Sequence, residues 1–208
     1  MLGTVLDVNE GLVSAGRFPG LSHAGQRVSA LELATLISCG VFAALATAII
    51  DTPWQLPGQS IVQSVLPMAL GLALVPRRVA GSVMGVGSIL TVAGLRLGGF
   101  HGVGPGAMTS LFLTGPMLDA ALWSARSGWR LYVRILIAGL ATNELAFAVR
   151  FGTKLLSGDT SGGRRLANWL PQAIWSYPLC GVVAGFIGAL AWFHWSSRRE
   201  SASREGAM

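Results

Sequence analysis

Charged side chains are missing from long stretches of this chain: 33–50, 52–76, 79–95, 97–118 and 166–197 contain no Asp, Glu, Lys or Arg. A helix needs roughly 20 apolar residues to cover the ~30 Å of hydrocarbon in a bilayer, and most of these runs approach that length. With 12% charged residues against the ~25% usual in soluble domains, the chain cannot clothe a water-facing surface. Its mean hydropathy of +0.58 says the same. In lipid every backbone N–H and C=O must be bonded inside the protein, which leaves helices or closed barrels. Runs this long and continuous, without period-two alternation, point to helices. The reading is an all-α integral membrane protein of one domain.

Turn signals divide the chain into about six spans. The first covers 31–50 and stops at Asp51-Thr52-Pro53-Trp54. The second, 61–75, is short, contains Pro67 and ends at Pro76-Arg77-Arg78. The third is 79–97, and a loop with five glycines in nine positions, 98–106, leads to the fourth at 107–123. The fifth is 131–149, a long polar connection occupies 150–169, and the sixth is 173–193. Residues 1–30 then form an N-terminal tail, 31–195 a compact six-helix membrane domain, and 196–208 a basic tail.

Six crossings place both termini on one side. Arg17, Arg27, Arg77, Arg78, Arg126, Arg130, Arg134, Arg198, Arg199 and Arg204 would share that side, against Arg96, Arg150, Lys154, Arg164 and Arg165 opposite. The positive-inside bias therefore predicts cytoplasmic termini. Trp54, Trp169 and Trp175 near one face, with Trp123, Trp129, Trp192 and Trp195 near the other, fit two interfacial belts. The net charge of +6 serves topology and lipid headgroups here, and nucleic acid is not an expected partner. Cys39 and Cys180 lie in apolar runs as small hydrophobes. No removable signal peptide is expected, since 1–30 lacks an apolar core with a small-residue cleavage site.

Ionisable groups at membrane depth are costly and therefore suspects for function. Arg96, His101, Asn143, Glu144 and Arg150 all fall at the outer level of the predicted bundle, with Trp54, Trp169, Trp175 or Tyr177 available to stack on a ring. A small polar ligand is one use of such a set. A Glu144–Arg150 or Glu144–Arg96 pair that neutralises a buried charge is the structural alternative. Asp119 is expected to pair with Arg126 or Arg130 at the inner end of the fourth span. The glycine loop has no Gly-Lys-Ser/Thr ending, so nucleotide binding is not expected, although its N–H groups could meet an anion. Ala44-x-x-x-Ala48, Gly81-x-x-x-Gly85 and Gly181-x-x-x-Gly185 have the spacing of close helix contacts. There is no Gly-x-Ser-x-Gly, no His-Glu-x-x-His and no Asp cluster for a metal, so no catalysis, metal or cofactor is expected.

The size, six spans, cytoplasmic termini and Ala44-x-x-x-Ala48 pair resemble the substrate-binding (S) components of energy-coupling-factor transporters, which take up vitamins and related micronutrients in prokaryotes. The segments 64–71 (SVLPMALG) and 101–116 (HGVGPGAMTSLFLTGP) are similar in flavour to such proteins. The resemblance covers about 31–195. It implies a prokaryotic cell (plasma) membrane protein with an outer binding pocket for a small organic solute. Arg96, His101, Asn143, Glu144, Arg150 and Trp175 would be its pocket residues. It also implies docking through Ala44 and Ala48 on a transmembrane scaffold subunit coupled to two cytoplasmic ATPases. The N-terminal histidine group of the metal-uptake branch is absent, which disfavours cobalt or nickel. Alternatives are a non-transporting membrane scaffold or assembly protein, with Glu144 and Arg150 paired, or a stand-alone small transporter.

Overall fold

The computed structural model describes residues 29–50, 56–77, 79–100, 102–123, 129–157 and 166–205, with side chains as far as Trp195. The regular elements among them are six α-helices: α1 Ala30–Ile49, α2 Ser60–Leu74, α3 Ala80–Leu97, α4 Pro105–Trp123, α5 Trp129–Leu156 and α6 Leu166–Glu205. α1, α3, α5 and the Leu166–Trp195 part of α6 are long and apolar enough to cross a membrane. The regular structure among the described residues is thus all helical and suited to a membrane. Four helices meet that description where the sequence suggested six. α2 has 15 residues, about 22 Å of helix, and α4 spends part of its 19 on Thr109, Ser110, Thr114, Pro116 and Asp119.

The helices close into a ring in the order α1, α3, α4, α5, α6, α2, and α2 also leans inward to touch α3, α4 and α5. Nine of the fifteen α2 residues are buried, against five of twenty in α1, so α2 is the core helix and α1 a wall. Its buried set, Ile61, Val65, Met68 and Leu72, recurs at helical spacing and anchors the main hydrophobic cluster. Buried hydroxyls cost little here because their own helices satisfy them. Ser64 donates to the Ile61 carbonyl, Ser88 to Gly85, Thr114 to Ser110 and Thr142 to Ala138.

Backbones approach most closely where glycines face one another. On α3 and α4, Gly81 lies against the carbonyl of Gly115 and Gly85 against that of Phe112. On α5 and α6, Gly139 lies against Gly181 and Gly185. The two Gly-x-x-x-Gly pairs therefore serve packing inside the chain.

One end of the bundle is closed by polar caps. Ser29 and Glu32 form a capping box on α1, and Glu32 also pairs with Arg77 at 2.8 Å. Asp119 does not make the expected ion pair with Arg130, and Arg126 lies outside the described residues. Instead its carboxylate accepts from the Gly81 N–H at 2.8 Å, the Ser82 N–H at 2.7 Å and the Ser82 hydroxyl at 2.9 Å. It caps α3 from a neighbouring helix. The reason is local: the N-cap position of α3 is Val79, which has no side-chain oxygen to offer.

Candidate functional site

The opposite end carries the polar groups of interest, and helix packing places them there. Gly139, Gly181 and Gly185 bring α5 against α6. One turn beyond Gly139, Asn143 is fully buried and donates through Nδ2 to the Tyr177 carbonyl at 2.7 Å. Because a carbonyl can only be offered an N–H, that bond fixes the amide orientation and turns Oδ1 away from the α6 backbone. Asn143 Oδ1 is buried without a partner among the described residues.

Two loops close over this position. Gly58, before α2, adopts φ +86°, and a Cβ there would stand 2.9 Å from both Asn143 Nδ2 and Tyr177 Cδ1. Only glycine meets both demands. The loop between α3 and α4 is pinned by Arg96, whose guanidinium donates to the Val103 carbonyl at 2.8 Å. Beyond that bond, a Cβ at Gly104 would lie 2.8 Å from Arg150 Nη1. One at Gly106 would lie 3.3 Å from the Tyr177 hydroxyl, the Arg150 Cβ and the Ala146 carbonyl. Asn143 and the Tyr177 ring thus lie beneath the Gly58 loop, and Arg150 and the Tyr177 hydroxyl lie beside Gly104 and Gly106 about two turns away.

Of the connection expected over 150–169, residues 150–156 and 166–169 are helical, and 158–165 lie outside the described residues. α5 continues to Leu156 and α6 begins at Leu166, because their flanks bury a second hydrophobic cluster of Ala146, Trp169, Ala173 and Tyr177 with Phe147 and Phe151. Phe147 sits 5.8 Å from Trp169 and 5.3 Å from Tyr177, and the buried Lys154 holds its Nζ 5.6 Å above the Trp169 ring.

The predicted residues divide. Asn143 and Arg150 lie on one face of α5 two turns apart, each against one of the glycine-bearing loops, and Arg96 supports the second loop from an exposed position. His101 and Trp54 are outside the described residues. Glu144 follows Asn143 directly, so its side chain leaves α5 about 100° around from it, toward a different groove. Its Oε1 is buried without a partner, and it pairs with neither Arg150 nor Arg96 among the described residues. Trp175 is 80% exposed, on the outside of the bundle, and lines no interior site. The inward aromatics are its neighbours Trp169 and Tyr177. Ala44 and Ala48 are also placed differently from the expectation of a docking surface. Ala44 is fully buried and Ala48 packs against the core, on a helix brought close to α3 by the Gly40–Met84 backbone contact.

Gly58, Ser110 and Lys154 were not among the expected site residues. Ser110 is fully buried, and its Oγ has no partner among the described residues. It lies one turn beyond Gly106 on the antiparallel neighbour of α5, level with about 142–146. Lys154 had a readable signal as the only lysine in the chain, four residues after Arg150 on one helix. No protein-family model, curated protein or solved structure matches the chain.

Proposed function

We propose that this protein is the membrane-embedded solute-binding subunit of an uptake transporter, of the kind powered by separate ATPase subunits. In this reading all six helices lie in a prokaryotic plasma membrane with both termini cytoplasmic. α2 is free to be short because it is walled by other helices. The observation that carries the reading is the buried Asn143. Its Oδ1 has no partner among the described residues, and Arg150, two turns further along α5, is paired with no carboxylate among them. An unmet buried hydrogen bond costs about 1–3 kcal/mol, a cost that a binding protein recovers when its solute supplies the partner. A scaffold would be expected to spend such groups on each other, and the Glu144–Arg150 pair that would mark one is not formed.

A small organic solute, a transmembrane scaffold and two cytoplasmic ATPases are the partners proposed. Affinity purification of the tagged chain from its own cells in mild detergent, followed by mass spectrometry, tests this. Recovery of a membrane scaffold with ATPases is the expected result. Recovery of the chain alone, from cells shown to contain such subunits, would overturn the reading.

A further inference from the structure

We infer that the outward face of α5 around Glu144 docks a transmembrane helix of another protein, and that this helix brings an arginine or lysine to the Glu144 carboxylate. This goes beyond the binding reading above, in which Ala44 and Ala48, packed inside the bundle, leave the docking face unassigned.

Helical spacing gives the direction. The inward residues of α5 recur as Leu131, Ile135, Ala138, Thr142 and Ala146, all buried. Glu144 follows Thr142 by two positions, about 200° around the helix, and so points away from the bundle. It shares its face with Ala141 and Ala148, three and four residues away, and with Ile137 two turns back. Ile137 and Ala148 are exposed and Ala141 is half-buried. The ring neighbours α4 and α6 flank α5 and leave this strip open.

Charge gives the occupant. Glu144 lies mid-helix, about 22 Å from Trp129 and about 18 Å from Leu156 along α5, which is membrane depth. A carboxylate there is costly unless something pairs with it. Its Oε1 is buried without a partner, and the side chain makes no ion pair among the described residues. Arg96 is spent on the Val103 carbonyl, and Arg150 lies against Gly104. The rest of the strip is apolar, and lipid tails offer no donor. A guanidinium or ammonium on a neighbouring helix supplies both the charge and the hydrogen bonds. Ala141 and Ala148, one turn to either side, are small enough to let that helix come close. A second copy meeting this face symmetrically would set Glu144 against Glu144, so the partner is a different chain.

The test places the photo-cross-linker benzoylphenylalanine at Ala148 of the full-length chain in its own cell membranes, and cross-linked peptides are sequenced by mass spectrometry. A transmembrane segment of one other protein, with an arginine or lysine beside the linked residue, is expected. The same probe at the exposed Phe42 of α1, across the ring, should not capture it. Glu144→Gln should lower the cross-linked fraction about tenfold, compared at equal amounts of folded protein. Glu144→Lys should abolish it, and replacing the partner's basic residue with Glu should then restore it. Cross-links to lipid alone, to a second copy, to another part of the same chain or to a segment without a basic residue would overturn the inference. So would an equal yield from Glu144→Gln. ATPases that co-purify with the chain while the cross-link forms only from another face would sink this docking face and leave the transporter reading intact. A charge-swapped partner that comes without ATPases would do the reverse.

Discussion

Asp119 is the residue whose role changed most between sequence and structure. A carboxylate near the end of an apolar helix, followed by Arg126 and Arg130, reads as half of an ion pair. The structure uses it as the missing cap of α3, because Val79 occupies the N-cap with no side-chain acceptor. Asp119→Ala should lower stability by about 1–2 kcal/mol, read as a drop in the thermal midpoint in detergent, and Asp119→Asn should recover part of it. An unchanged midpoint in Asp119→Ala would remove the capping role. Val79 itself holds φ at 66°, which a β-branched residue adopts only under strain. Val79→Gly should therefore raise stability by about 1 kcal/mol in the same assay. Neither effect was legible beforehand, since a cap supplied from another helix leaves no local pattern. Asn143 was legible, being a polar residue deep in an apolar run. Its neighbour Glu144 shared that signal, but consecutive helical residues face different grooves, and only packing decides which groove is the site.

Helices were easier to read than their ends. The first span at 31–50 matches α1 at Ala30–Ile49, because the apolar run and its flanking Ser29 and Asp51 leave little choice. The charges and glycines in the 150–169 stretch make its two flanks, 150–156 and 166–169, read as connection, whereas aromatic packing between α5 and α6 keeps those flanks helical. Glycines within helices also have two meanings that sequence cannot separate. Gly115 abuts the Gly81 carbonyl, so Gly115→Ala forces α3 and α4 apart. It should cost about 1–3 kcal/mol despite the better helix propensity of alanine. Gly94, in α3, has nothing within 4 Å of a Cβ, so Gly94→Ala should be neutral or stabilising by up to about 1 kcal/mol. Denaturation of the two variants side by side checks the opposite signs.

At the scale of the molecule, composition alone established a helical membrane protein, and the ring order of the helices did not follow from it. Six crossings predict a definite labelling pattern once Cys39 and Cys180 are replaced. In sealed cells, a membrane-impermeant maleimide should react with Ser157→Cys and should reach Pro76→Cys only after the membrane is opened. Reaction of both in intact cells would refute the six-crossing arrangement. The central position of α2 also bears on how the protein is made. Its most extensive neighbour is α6, which is synthesised after the other five described helices, so α2 must wait for it before its buried face is covered. Until then a 15-residue helix that barely matches the bilayer has only α1 and its later neighbours to hold it. Chains cut short before Leu166 should therefore be cleared by quality-control proteases during biogenesis, even though five of the six described helices are already present.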